Sequence, residues 1–172
     1  THPILGYNFR ISELHAAVGL AQIRRMDEFL GLQRRNHAIL KAALGQIPEV
    51  TFRRIPDPEG DSCGFLNFFM PTSELTDKVV EAFKAHGIDS FWNYYNNNWH
   101  YIRRWDHLKD AKSLFPLSPE VLSSIERIRD QKFPQSDDLI SRNISCLIKL
   151  SWTEEQVRDL GQRMVKAIKS VL

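Results

Sequence analysis

From Ser12 to Leu44 the chain carries no proline, and that run constrains the fold more than any other feature. Interrupted only by Gly19 and Gly31, it predicts helix throughout, with a second helix beginning near Asp27. Leu14, Ala17, Val18 and Ala21 fall at i, i+3, i+4 and i+7, giving one apolar stripe whose small residues let another backbone approach closely. The second helix carries Phe29, Leu30, Ile39, Leu40 and Leu44. Its other face holds Arg24, Arg25, Arg34, Arg35 and Lys41, partly balanced by Asp27 and Glu28. Two long helices with no sheet of their own must bury their apolar faces elsewhere, which assigns them to a larger upstream domain.

After Gly45 and Pro48 the period changes. Thr51–Ile55 and Cys63–Met70 read as strands joined by the turn-rich Pro56-Asp57-Pro58-Glu59-Gly60, and Pro71 ends the second. Leu75, Val79, Ala82 and Phe83 mark an amphipathic helix. Gly87 followed by Ile88 stops it, a left-handed glycine with an apolar residue behind. Ile88–Trp92 is a short strand, Asn93–Asp110 mostly loop with some helix near Ile102–Leu108, and Ile144–Leu150 another strand. Thr153 and Gln156 form a capping box for a last helix whose Val157, Leu160, Met164, Ile168 and Val171 face inward. The order predicts a helical segment, 1–47, followed by a small α+β domain, 48–172, with a helix-covered sheet.

Composition excludes several classes. Of 172 residues, 42% are hydrophobic and 26% charged, enough to bury a core. The net charge of +2 argues against nucleic acid or an anionic membrane as partner. No apolar run approaches the ~18–20 residues that span a bilayer, and no basic start leads into an apolar segment. The start at Thr1 reads as a fragment or a processed chain. Cys63 and Cys146, each flanked by apolar residues, read as buried thiols in a reducing, cytoplasmic setting, with a disulfide left open. His86 and His107 have no partners at metal-ligand spacing, so no metal site is expected. The pairs Arg24–Arg25 and Arg34–Arg35, with acidic neighbours, read as a solvated helix face.

Two stretches carry chemistry. Gly6-Tyr7-Asn8-Phe9-Arg10 precedes a helix start capped by Ser12, with Glu13 in the first turn. The Asn8 amide and the planar Arg10 fork, beside a helix N-terminus, can hold an anion. Equally, Arg10 can pair with Glu13 while Asn8 stabilises a turn. Asn93-Tyr94-Tyr95-Asn96-Asn97-Asn98-Trp99-His100-Tyr101 offers aromatic faces and amide groups, which suit a sugar's C–H faces and hydroxyls; the same residues also suit a core cap and asparagine turns.

The run Gly-Tyr-Asn-Phe-Arg-Ile-Ser-Glu-Leu-His-Ala-Ala-Val-Gly-Leu-Ala-Gln, residues 6–22, closely resembles the matching stretch of DegT/StrS-type pyridoxal-phosphate-dependent sugar aminotransferases. Ile23-Arg24-Arg25-Met26-Asp27-Glu28-Phe29 and Arg34-Arg35-Asn36 continue the likeness, which is dense over the first forty or so residues and thins afterwards. The resemblance implies an α/β chain, the C-terminal part of a fold-type-I aminotransferase. Residues 1–47 would be the helical end of its large cofactor-binding domain.

It further implies a homodimer in which this loop reaches the partner's active site. Asn8 would donate to the phosphate of pyridoxal 5'-phosphate, and Arg10 would assist or order the loop. His100 matches a substrate histidine, with Trp99 and Tyr101 beside it, although the family's His-Leu-Gln context with nearby prolines is missing. Phe133-Pro134-Gln135-Ser136-Asp137 and Arg142-Asn143-Ile144 look more like a branch that aminates eight-carbon keto-sugar acids.

The lysine that binds the cofactor and the carboxylate beside its ring nitrogen lie upstream of the loop in that family. No catalytic residue is therefore assigned here, and the fragment alone is expected to be inactive. The complete enzyme would move an amino group from glutamate to a keto-sugar for cell-surface polysaccharide. The alternative is a non-catalytic regulatory or binding protein on the same scaffold. An unrelated interaction domain is the third reading.

Overall fold

The proline-free run folds as two helices. The computed structural model describes residues 11–97 and 99–172, so Asn8, Arg10 and Asn98 lie outside the described residues. Helix α1, Glu13–Ile23, starts at Ser12, whose Oγ accepts the His15 N–H at 3.3 Å. Arg24 and Arg25 break the ladder, and α2 runs from Met26 to Leu44 with Asp27 and Glu28 in its first turn, where the positive end of the helix favours carboxylates. None of α1 is buried, and Leu14 and Val18 stand 74% and 56% exposed. The second half of α2 differs: Leu40 and Leu44 are fully buried.

They are buried against a four-stranded antiparallel sheet. Its strands are β1 (Thr51–Phe52), β2 (Phe65–Phe69), β3 (Phe91–Trp92) and β4 (Asn143–Leu147), in the order β1-β2-β4-β3. Leu66 pairs with Cys146 and Phe68 with Ile144. Because side chains alternate faces along a strand, this register sends those four residues to the core and leaves Phe65, Asn67 and Phe69 on the other face. Helices α3 (Ser73–Ala85) and α7 (Glu154–Lys169) complete the core with Val79, Phe83, Val157, Met164 and Ile168. Fully burying side chains of this kind stabilises by roughly 1.5–3 kcal/mol each. This is the expected α/β chain with a helix-covered sheet.

The local stop and start signals account for most boundaries. Gly87 sits at φ +65°, and the Ile88 N–H closes back on the Phe83 carbonyl at 2.9 Å. Ile88 therefore belongs to the helix stop, and β3 begins only at Phe91. The Thr153 Oγ1 accepts the Gln156 N–H (3.2 Å), while the Gln156 side chain accepts the Thr153 N–H (2.9 Å), the predicted capping box.

The strands are shorter than expected, for local reasons. The chain leaves β1 after Phe52 for the turn in which Asp57 Oδ1 accepts the N–H groups of Glu59 and Gly60, both at 3.1 Å. Cys63, at φ +58°, cannot extend β2 toward its N-terminus. Both cysteines are buried and free, so the disulfide left open does not form.

Between β3 and β4 the described residues hold three α-helices, the first close to the helix expected near Ile102–Leu108 and the other two where loop is expected. They are α4 (Asp106–Lys109), α5 (Pro119–Asp130) and α6 (Pro134–Arg142). Two of them begin on a proline, which suits a first helical position because its N–H would have no partner there. Ser118 caps α5 by accepting the Val121 N–H at 3.3 Å. No helix among the described residues is long and apolar enough to cross a membrane.

Candidate functional site

The asparagine-rich stretch after β3 forms a turned loop whose side chains divide into anchors and a tip. Asn93 is an anchor. It is buried, its Nδ2 donates to the carbonyls of Asn143 (3.1 Å) and Ser141 (3.4 Å), and its Oδ1 accepts the Asn96 N–H (3.2 Å). That last bond caps a 3-10 turn over Tyr94–Asn96. Tyr101 is the second anchor. Its ring is 3% exposed, and its hydroxyl donates to Asp137 on α6.

Trp99 and His100 lie between the anchors and are exposed. The His100 ring stands edge-on to Tyr94, centroids 4.9 Å apart, and to Trp99 at 6.1 Å. The Trp99 N–H donates to Asn97 Oδ1 at 3.1 Å, which shapes the approach to the tip. An exposed indole beside an imidazole offers an apolar face and a hydrogen-bonding edge together, the combination a sugar needs. Of the three residues expected on the substrate side, two reach solvent. The third, Tyr101, holds its hydroxyl inward.

Around Tyr101 the electrostatics are tightly defined. Asp137 also receives Arg103, through Nε at 2.8 Å and a terminal nitrogen at 2.8 Å. The Arg103 hydrogen bond, then that of Tyr101, holds the Asp137 carboxyl below its usual range. Burial, reinforced by Asp137, pushes the Tyr101 phenol up to about 12. Both shifts favour one state at neutral pH, a neutral phenol donating to a carboxylate that also binds a guanidinium.

Sequence reasoning missed this Asp137 cluster, because thirty-six positions separate Tyr101 from its acceptor. Arg34 and Arg35 are exposed, as a solvated face requires, but they are also bonded. Arg34 donates to the carbonyls of Glu59 (2.6 Å) and Asp61 (3.4 Å). Arg35 donates to Asn36 Oδ1 and to the Trp152 carbonyl. The Arg-Arg-Asn segment is thus a clamp that grips two loops from α2.

A groove of about 810 Å³ runs beside the first limb of the loop, lined by Asp77, Glu81, Lys84, Asp89 and Asn96 among others. Lys84 pairs with Glu81 at 2.7 Å and the neutral Asn96 amide donates to Asp77 at 3.3 Å, so the lining holds more acidic than basic side chains. Its lining includes neither Trp99 nor His100. Among the described residues no group of three or more His, Cys, Asp and Glu is arranged to hold a metal ion.

The architecture belongs to a known class. It superposes on a Helicobacter pylori aminotransferase, PseC, involved in the biosynthesis of pseudoaminic acid, with a TM-score of 0.65 and 16% identity, over 97% of this chain and 40% of that one. It also matches 3-amino-5-hydroxybenzoic acid synthase, with a TM-score of 0.60 and 22% identity, over 99% of this chain and 42% of that one. At such identities the likeness is one of fold, shared with less than half of each of those chains.

The family follows from sequence. Residues 1–165 match the DegT/DnrJ/EryC1/StrS aminotransferase family, and the chain belongs to it. Similar curated proteins include a GDP-perosamine synthase of Caulobacter vibrioides, 32% identical over 51% of this chain and 24% of that protein. Another GDP-perosamine synthase, from Vibrio cholerae, is 26% identical over 68% of this chain and 31% of its own. The lipopolysaccharide biosynthesis protein RfbH of Salmonella typhimurium is 37% identical over 33% of this chain and 14% of its own. The chain therefore spans less than a third of the length of these curated relatives.

Pyridoxal phosphate is the cofactor this family implies. Asn8 and Arg10, the residues expected at its phosphate, lie outside the described residues. Among the described residues, the Ser12-capped first turn of α1, which follows them in sequence, is exposed and could face an anion. No lysine among the described residues is buried, and Lys149 lies against the Trp152 ring at 5.5 Å.

Proposed function

We propose that this chain is the phosphate-clamp and small-domain portion of a pyridoxal-phosphate-dependent aminotransferase. Complete, that enzyme would transfer an amino group from glutamate to a keto-sugar. The family match over residues 1–165 is the observation that carries the reading. The curated relatives named as GDP-perosamine synthases and as a lipopolysaccharide biosynthesis protein support a nucleotide-linked sugar and a role in cytoplasmic synthesis of cell-surface polysaccharide. Residues 1–47 form the helical edge of the large domain, with the end of α2 seated on the small domain of residues 48–172. In the homodimer the loop at Asn8 and Arg10 reaches the partner's active site.

Bound pyridoxal phosphate supplies an electron sink that makes the amino group transferable. This chain's residues bind and orient around it. Asn8 donates to the phosphate, and Arg10 adds a cation or orders the loop through Glu13. Trp99 and His100 meet the sugar from the small domain. Tyr101 serves the same substrate site from behind, holding the turn that presents them. The exposed Leu14 and Val18 of α1 are covered by the rest of the large domain or by the second subunit.

The decisive experiment is a cofactor titration of the full-length enzyme with Asn8→Ala. Weaker pyridoxal phosphate binding is expected, and unchanged affinity removes the phosphate role. His100→Ala is expected to weaken sugar binding while leaving cofactor affinity intact. Wild-type sugar affinity in that variant would remove the substrate role of the loop.

A further inference from the structure

Both ends of the loop that carries Trp99 and His100 are tied to one element, α6. At the near end, Asn93 binds the carbonyls of Ser141, in α6, and Asn143, just after it. At the far end, Tyr101 and Arg103 converge on Asp137, in the first turn of the same helix. The two limbs are also joined to each other. Arg104 Nε donates to the Tyr95 carbonyl at 2.8 Å, and the Tyr95 ring stacks on Tyr101 at 5.3 Å with 30° between planes.

Fixing a loop in one conformation costs backbone entropy that the tip itself, exposed and without core contacts, cannot offset. A charge-assisted cluster at the base can. One carboxylate that accepts a phenol and a guanidinium together also sets direction, because its oxygens accept along defined lines.

We propose that Asp137 is the positioning residue of the substrate loop. It touches no substrate. Acting through Tyr101 and Arg103, it fixes where Trp99 and His100 stand, so that a sugar meets a preformed edge and not a mobile one. This rests on the reading of that tip as the sugar side of the site. Asp137→Asn keeps an oxygen for Tyr101 and Arg103 Nε but removes the charge and turns an amide N–H group toward the other Arg103 donor, while Tyr101→Phe removes only the phenol bond.

The test uses the full-length protein with Asp137→Asn, Tyr101→Phe and, as control, Arg158→Gln on the remote face of α7. Two signals are read. One is native-state trypsin cleavage after Arg103 and Arg104. The other is the anisotropy contributed by Trp99, obtained by difference from the matching Trp99→Phe protein. Losing hydrogen bonds to a charged group raises the open population of the loop, so Asp137→Asn is expected to be cleaved about tenfold faster or more, with Tyr101→Phe intermediate and the control unchanged. Trp99 anisotropy should fall in the same order, with the global melting point nearly unmoved. Unchanged cleavage and anisotropy in both variants would overturn the proposal; should Asp137→Asn fail to fold, Tyr101→Phe decides by the same readings.

GDP-mannose, as a nucleotide-sugar probe, separates this from the reading it rests on. Affinity lost in His100→Ala, with Trp99 unmoved in Asp137→Asn, removes the positioning role and leaves the sugar site. Trp99 released in Asp137→Asn, with no probe bound by wild type or by any variant, keeps the anchor and removes its substrate purpose, so the proposal falls with it.

Discussion

Asn36 is the polar residue on which the join between α2 and the turn before α7 depends, and replacing it by leucine tests that. It is fully buried. Its Nδ2 donates to the Lys149 carbonyl at 3.1 Å and, more weakly, to the Trp152 carbonyl at 3.4 Å. Its Oδ1 accepts two N–H groups of Arg35, at 2.9 and 3.0 Å. In Asn36→Leu the exposed Arg35 turns to water and keeps the Trp152 carbonyl, so that loss is small. The Lys149 carbonyl is left without this donor, which costs about 1–3 kcal/mol, and the lost bond from a charged donor adds roughly 1 kcal/mol.

The sum, about 2–4 kcal/mol, shifts the melting point by some 4–16 °C at about 2–4 °C per kcal/mol for a chain of this size. Urea unfolding followed by far-UV circular dichroism should show a lower midpoint with an unchanged slope. Asn36→Asp keeps the shape but turns an acceptor toward two carbonyls, and should also destabilise. If Asn36→Leu stays within about 0.5 kcal/mol of wild type, the buried amide is not what holds α2 to the β4–α7 turn.

Three further outcomes follow from particular residues. Gly87→Ala should cost about 1–2 kcal/mol in the same assay, because the site is open and only its φ of +65° opposes a side chain; Gly87→Asn should cost less. Burial pushes the Cys146 thiol up to about 12 and raises Cys63 as well, so a thiol reagent at pH 8 should label both only after unfolding; rapid native labelling of Cys146 would contradict its buried position. Tyr101, raised to about 12, favours its neutral form in the folded protein. Its contribution is therefore complete below the ordinary phenol value near 10 and lost as pH rises through about 12. Ultraviolet titration should show one late tyrosine step that disappears in Tyr101→Phe.

What could be read directly was whatever depends on neighbours in the chain. The capping box at Thr153, the glycine stop at Gly87 and the inward stripe Val157-Leu160-Met164-Ile168 are local, and each appears where expected. The likeness over residues 6–22 is likewise linear, and the family match over residues 1–165 agrees with it. The helices opening on Pro119 and Pro134 were harder to see, since proline punctuates loops as readily as it begins helices.

Other features were decided only by tertiary structure. Arg34 and Arg35 read as solvated charges until the carbonyls of residues 59, 61 and 152 arrive beside them. Tyr101 reads like its aromatic neighbours until α6 brings Asp137 to its hydroxyl. Caps, stops and periodicity arise from backbone geometry within a few residues, so the sequence alone determined them. Whether a polar side chain faces solvent, a ligand or a distant carboxylate depends on which segments the core brings together, and only the folded chain settles that.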